Sequence, residues 1–211
     1  MKIRHPPGRA GRPWLAHRLE VARRGAELLD EKCRALAHER HRLQPLAADA
    51  RRAWERTARD AERGLTRAAV LGGQQQIELA RATSGAARVD VSWRTILGVR
   101  CPVEARVTPP SGGEPAAPGG SAALLTAAAE HRAALEAAAR LAVLDGALRR
   151  IDEELRATAL RRNAIQHRWI PAHEAAAAEL AIALEELERE DGTRVRWVTR
   201  GREGGSQAGP H

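Results

Sequence analysis

From Leu15 onward the apolar residues of this chain return at alternating intervals of four and three. Leu15, Leu19, Ala22, Ala26, Leu29, Cys33, Leu36, Leu43, Ala47, Ala50 and Trp54 fall on one stripe, interrupted only by Arg40, and most positions between them are charged. A 3.5-residue repeat keeps one helix face turned toward a partner helix, the pattern of a left-handed coiled coil. Pro45 lies inside the stripe. A proline there removes one helical hydrogen bond and crowds the preceding turn, but the stripe resumes in phase beyond it. The expectation is a bend in a continuing helix. Gly72 and Gly73 loosen that helix, and Thr83, Ser84 and Gly85 end its continuation.

The period then changes to two. Val89, Val91 and Trp93 alternate with polar residues, and so do Val99, Cys101, Val103, Ala105 and Val107, with Thr95-Ile96-Leu97-Gly98 as a short turn between. This reads as a β-hairpin whose second strand, containing Pro102, is an edge. Residues 109–120, PPSGGEPAAPGG, have the composition of a flexible linker. Ser121 is placed to cap a second long helix. Its stripe is clearest through Leu141, Leu144, Leu148, Ile151, Leu155, Ile165, Trp169, Ala172, Ala176, Leu180, Leu184 and Leu187. Pro171 predicts another bend, Gly192 the helix end, and residues 201–211 a tail without regular structure.

The resulting division is a basic tail (1–13), an N-terminal coiled-coil helix (14–84), a hairpin and linker (85–120), a C-terminal coiled-coil helix (121–191) and a C-terminal tail (192–211). Helices of roughly 60 and 70 residues would be about 90 and 105 Å long. Each is apolar on one stripe only, so each needs a partner. The simplest solution within one chain is a mainly α fold: a long antiparallel two-helix coiled-coil hairpin, with the small β-hairpin between the helices.

Composition supports the thin seam. Among 211 residues there is no Phe and no Tyr, and the five aromatics are Trp14, Trp54, Trp93, Trp169 and Trp197. Such a chain has little with which to fill a thick globular core, whereas Ala permits close helix approach and favours helix formation. The net charge of +8 comes largely from Arg. Basic chains attract nucleic acid, anionic membranes or acidic protein surfaces. Here the arginines are interleaved with Glu and Asp except in the stretch Lys2 to Arg12, the pattern of solvated helix faces and protein contacts.

Candidate chemistry is sparse. Cys33 and Cys101 are far apart and lack ligand spacing, which fits a reducing compartment and argues against zinc. His38 and His41 share a helix face, His167 and His173 do so poorly, and no carboxylate trio accompanies either pair. No phosphate-cradling or nucleophile motif occurs. No stretch reaches the ~18 apolar residues of a membrane span, and no apolar leader follows the basic start, so a soluble protein is expected. The residues leave open protein contacts through solvated helix faces and a basic coiled-coil adaptor that binds nucleic acid, while the Ala-rich seam is too thin for a membrane-surface amphipathic protein. The adaptor would account for the charge but not for the mixed-sign faces, and base-stacking aromatics are scarce.

Residues 19–32, LEVARRGAELLDEK, form a basic Leu-rich lead, a Gly, then Leu-Leu with a charged pair and Lys. In the second helix, Arg161-Arg162-Asn163-Ala164-Ile165 is followed by Ile170-Pro171, and residues 184–190, LEELERE, close it. Ile96-Leu97-Gly98-Val99-Arg100-Cys101-Pro102-Val103 lies between. In order and spacing these segments resemble the D subunits of V-type and archaeal-type rotary ATPases, over about 15–110 and 140–198. Cys33 stands where that family more often has a basic residue, and Pro45 interrupts a helix that is otherwise continuous there.

The resemblance implies the central shaft of a rotary ATPase, non-catalytic and without cofactor or metal. It would couple nucleotide turnover in a ring of A and B subunits to rotation of the membrane rotor. Both termini would enter the ring, while the hairpin end would pair with the F subunit and seat in the funnel-shaped subunit above the rotor. The chain would be cytoplasmic and held at the membrane through the complex. Arg23, Arg24, Gly25, Arg161 and Arg162 are the candidate ring contacts. Trp93, Ile96, Leu97 and Val99 are the candidates for the F subunit. For the arginines the alternative is ordinary solvation; for Gly25 it is close packing of the second helix.

Overall fold

The computed structural model describes residues 3–83, 85–110 and 121–205. After a short 3₁₀ turn at Gly8–Ala10, helix α1 spans Gly11–Gly72 and passes through Pro45 without a break. Gly73, in the left-handed region at φ 78°, ends it and donates its N–H to the Ala69 carbonyl at 3.0 Å. This is a common helix stop, since only a residue without Cβ takes that conformation at no steric cost. Helix α2 follows at Gln74–Thr83, then strands β1 (Arg88–Ile96) and β2 (Val99–Thr108), helix α3 (Ala122–Ala164), a π-helical turn at Ile165–Trp169, and helix α4 (Ile170–Gly205). Ser121 caps α3 as expected, its Oγ accepting the Leu124 N–H at 3.3 Å. Most of residues 109–120 lies outside the described residues, as do Ser84 and residues 206–211.

The second long helix does not end at Gly192. It continues through Gly192 and Gly201 to Gly205. A single glycine weakens a helix by about 1 kcal/mol, but it stops one only by adopting a positive φ, and Gly192 does not. Two antiparallel helical segments with the β-hairpin between them are the observed fold, organised as two packed units.

The first unit comprises residues 1–31 and 158–211. Leu15, Leu19, Ala26 and Leu180 are buried in it together with Thr158 and His173. Arg9 pairs with Glu188 at 3.2 Å, Arg23 with Glu174 at 2.7 Å, and Asp30 with Arg162 at 2.7 Å. Partner numbers fall as the numbers rise from Arg9 to Asp30, the mark of antiparallel packing. Pairs this exposed each contribute at most about 1 kcal/mol, so they align the register more than they hold it.

The π turn explains how Pro171 is tolerated. The Ile170 N–H donates to the carbonyl of Ile165, five residues back. The turn is widened just where the proline ring would collide and its missing N–H would leave a gap. One extra residue also advances the helical phase. His173 therefore turns into the seam and is only 3% exposed, while Ala172 is half-buried. The His173 ring stacks on Trp169 with centroids 3.4 Å apart, and its Nδ1 donates to the Trp169 carbonyl at 2.9 Å.

The second unit comprises residues 32–157. Its main cluster joins Leu36 and Leu43 of α1, Cys101 of β2, and Ala147 and Ile151 of α3, with Ile96, Val99, Leu144, Leu148 and Leu155 packed around it. A smaller cluster of Ala68, Leu124 and Ala127 lies farther along α1. The seam between continues on small residues, Ala61 and Gly64. A methyl group built on Gly64 would meet the Glu130 side chain and lie 3.4 Å from the Ala127 Cα. Lys32 pairs with Glu154 at 2.6 Å, Arg40 with Asp152 at 3.6 Å and Arg51 with Asp145 at 2.9 Å. Arg40, the one charge on the apolar stripe, thus reaches a carboxylate across the seam.

The two strands pair antiparallel and are joined by Leu97 and Gly98, both at positive φ (51° and 82°). Two such residues make a type I′ turn, whose twist suits a hairpin. Leu97 accepts a conformation that costs about 1 kcal/mol for a residue with Cβ. Strict alternation would put Val99, Cys101, Val103, Ala105 and Val107 on one face. A bulge intervenes instead: Ser92 pairs with Glu104 but Trp93 with Pro102, leaving Val103 extra. Val99 and Cys101 consequently face the main cluster, whereas Ala105 and Val107 share the opposite face with Val89, Val91 and Trp93.

Candidate functional site

The first group of candidates lies in the first unit. Arg23 is engaged with Glu174, and Arg162 with Asp30 and with the Asn163 Oδ1 at 3.2 Å. Arg24 sits 3.8 Å from Glu20, one turn back on the same exposed face. Arg161 has no carboxylate within ion-pair distance among the described residues. The four arginines thus divide, two bridging the seam and two directed outward. Arg18, which sequence reasoning did not single out, lies 5.1 Å from the Trp14 ring centre and 5.8 Å from that of Trp169. The signal available for it was Trp14 four residues before Arg18, one turn along the helix.

Gly25 does not mediate close packing. A methyl group built there meets no atom within 4 Å, so the alternative of close packing by the second helix does not hold. The glycine weakens α1 without gaining a contact within the chain. Gly25→Ala is therefore expected to raise the stability of the isolated chain by about 1 kcal/mol. Urea denaturation followed by circular dichroism reads this directly, and a loss of stability would reveal a packing constraint at this position.

The second group lies on the hairpin in the second unit and also divides. Ile96 and Val99 are half-buried against the main cluster. Trp93 and Leu97 are 42% and 45% exposed. The guanidinium carbons of Arg100 and Arg150 lie 5.2 and 4.9 Å from the Trp93 ring centre, close enough for cation–π attraction. Arg150, together with its neighbour Arg149, was not recognised from the sequence, because α3 is brought to Trp93 only by the tertiary fold.

The chemistry of the remaining groups is quiet. Burial pushes the Cys101 thiol up from its ordinary pKa, outweighing the nearby Arg150 charge, so it stays protonated and unreactive. Cys33 is buried as well. Arg42 holds the Glu39 carboxyl below the usual carboxylate range through hydrogen bonds of 2.6 and 2.9 Å, against the opposing effect of burial. No group of three His, Cys, Asp or Glu side chains among the described residues could hold a metal ion. No described helix is long and apolar enough to cross a membrane.

Comparison with known proteins points one way. The family of ATP synthase D subunits matches residues 14–200. The V-type ATP synthase D subunit of Anaeromyxobacter sp. (strain Fw109-5) is 34% identical over 201 residues, covering 92% of each chain. That of Anaeromyxobacter dehalogenans (strain 2CP-C) is 33% identical over 187 residues, 85% of this chain and 88% of the relative. The A-type ATP synthase D subunit of Methanopyrus kandleri is 33% identical over 188 residues, 87% of this chain and 81% of the relative.

Proposed function

The chain belongs to the family of ATP synthase D subunits, and from that premise we propose that it is the non-catalytic central shaft of a V/A-type rotary ATPase. The observation that carries this reading is the match over residues 14–200, which takes in both helical segments and the hairpin between them. As a shaft, the chain presents a different face to each of three catalytic interfaces of a ring of A and B subunits. Rotation and nucleotide binding then bias one equilibrium reciprocally, which is what coupling requires. Nucleotide chemistry belongs to the ring.

In this reading the first unit, which holds both ends of the chain, enters the ring on the cytoplasmic side. Arg24 and Arg161, directed outward, meet carboxylates of the ring, where a guanidinium can bind bidentately. Arg23 and Arg162 contribute through their seam pairs. Gly25 leaves room for a ring loop. The hairpin meets the F subunit through Trp93 and Leu97, with Ile96 and Val99 supporting them from below. The funnel-shaped subunit above the membrane rotor completes the set of partners.

The test is copurification of the tagged chain from its host with identification of its partners by mass spectrometry. Recovery of A, B and F subunits is the expected result. Recovery of nucleic acid without any ATPase subunit would overturn the assignment in favour of a basic coiled-coil adaptor. Within the recovered complex, Gly25→Ala is expected to lower ATP turnover although it strengthens the isolated helix. Unchanged turnover would remove Gly25 from the ring contact.

A further inference from the structure

Residues 3–10 precede residue 14, where the match to the D-subunit family begins, and they fold onto one end of the first unit. Ile3, His5 and Pro6 are half-buried there. Gly8, at φ 66°, turns the chain into the 3₁₀ turn that leads to α1, and Arg9 pairs with Glu188 of α4. Pro6 and Pro7 restrict this segment before it docks, so less conformational freedom is lost on docking.

Gly11 is where the segment is seated. Followed back through Leu19 and Leu15, the apolar stripe of α1 reaches Gly11 one turn earlier, and Gly11 is buried although it has no side chain. A methyl group built there would lie 2.5 Å from the Pro6 carbonyl oxygen, 2.7 Å from Leu180 Cδ2 and 3.2 Å from His5 Nδ1. The tail, the start of α1 and the side of α4 therefore meet at one Cα. Backbone geometry does not call for a glycine, since its φ of −65° is helical and open to any residue. The position uses the missing side chain. The two nearest collisions differ in kind: Leu180 can rotate its methyl away, whereas the Pro6 carbonyl moves only if the tail moves.

We propose that residues 3–10 are a strap that closes the end of the α1–α4 seam over Leu180, with Gly11 as its seat. The two helices leave that end open. Helix α1 starts at Gly11 while α4 continues to Gly205, and beyond Leu180 no α4 side chain is buried among the described residues. The strap supplies the cover that a large residue at position 11 would otherwise give. Both side chains of the Arg9–Glu188 pair are largely exposed, so that pair aligns the strap more than it holds it. This closure is made within one chain and stands whether or not the chain turns inside a ring.

The experiment sets helix propensity against the strap. By propensity alone, Gly11→Ala improves the start of α1 as Gly25→Ala improves its interior. With the strap, Gly11→Ala displaces the tail, whereas Gly25→Ala leaves it in place, because nothing lies within 4 Å of a methyl group at Gly25. The full-length variants, tagged at the C-terminus, are digested briefly with trypsin, and cleavage after Arg4 and Arg9 is timed by mass spectrometry. Hydrogen exchange is followed across residues 176–188. In Gly11→Ala, cleavage at both sites and exchange around Leu180 should each be faster by about tenfold, since both track the population of the open form. Gly25→Ala should match the unsubstituted chain. A second variant lacking residues 2–10 should show the same faster exchange around Leu180, with circular dichroism establishing that the helices are kept. Cleavage unchanged or slowed in Gly11→Ala, or exchange around Leu180 indifferent to removal of residues 2–10, would overturn the strap.

Discussion

Replacing Ile151 by alanine should destabilise the chain by about 3–4 kcal/mol. Ile151 is completely buried and meets residues from three elements, Leu36 and Leu43 of α1, Cys101 of β2 and Ala147 of its own helix. Two features place the cost toward the upper part of the usual range. The neighbours include Ala and Cys, which cannot swing into the space that a shortened side chain leaves. The seam also has few large side chains that are fully buried, chiefly Leu15, Leu36 and Ile151, so no second layer shares the load. Because Cys101 packs in the same cluster, the hairpin should loosen together with the helices. Urea denaturation followed by circular dichroism measures the loss, and hydrogen exchange of the β1 and β2 amides reads the hairpin. A cost below about 1 kcal/mol would mean that the helices close over the cavity, and the cluster would not be the anchor of the second unit.

Replacing Pro45 by alanine should act in the opposite direction, stabilising the chain by about 2 kcal/mol. Proline in a helix interior is disfavoured by about 3 kcal/mol relative to alanine. Pro45 is exposed and inside a continuous helix, so alanine forfeits no packing and restores the missing hydrogen bond to the His41 carbonyl. The gain is reduced by about 0.4–1 kcal/mol, because proline also restricts the unfolded chain. Thermal unfolding is the direct measurement, and protection of the new amide at position 45 would confirm the restored bond. A stability unchanged or lowered would show that the local curvature at Pro45 is needed to seat Leu43 and Ala47, both buried.

The first heptad stripe was legible almost residue by residue. Leu15, Leu19, Ala26, Cys33, Leu36, Leu43 and Ala47 are all buried, because a 3.5-residue repeat leaves one face available and one way to hide it. The hairpin was legible from the switch to a period of two, and the α3 start from the capping serine. Trp54 marks where pattern and packing part company. It holds a stripe position yet is 37% exposed, as the seam narrows to Ala61, Gly64 and Ala68 and has no room for an indole.

Of the candidate contacts, the sequence showed which arginines exist but not which are already committed within the chain. Arg23 and Arg162 depend on carboxylates 151 and 132 residues away, and no local pattern encodes such a distance. Arg150, which lies over Trp93 from another element, escaped notice for the same reason.

What the sequence by itself determined is the type and order of the elements and the faces they hide, since both follow from periodicity, glycine, proline and capping chemistry acting over a few residues. The tertiary structure decided wherever one residue of phase mattered. The π turn before Pro171 delivered His173 to the seam in place of Ala172, and the bulge at Val103 turned Ala105 and Val107 to the opposite face from Cys101. A single inserted residue costs little locally and reverses or rotates every side chain beyond it. Only the packing of distant segments selects where it falls.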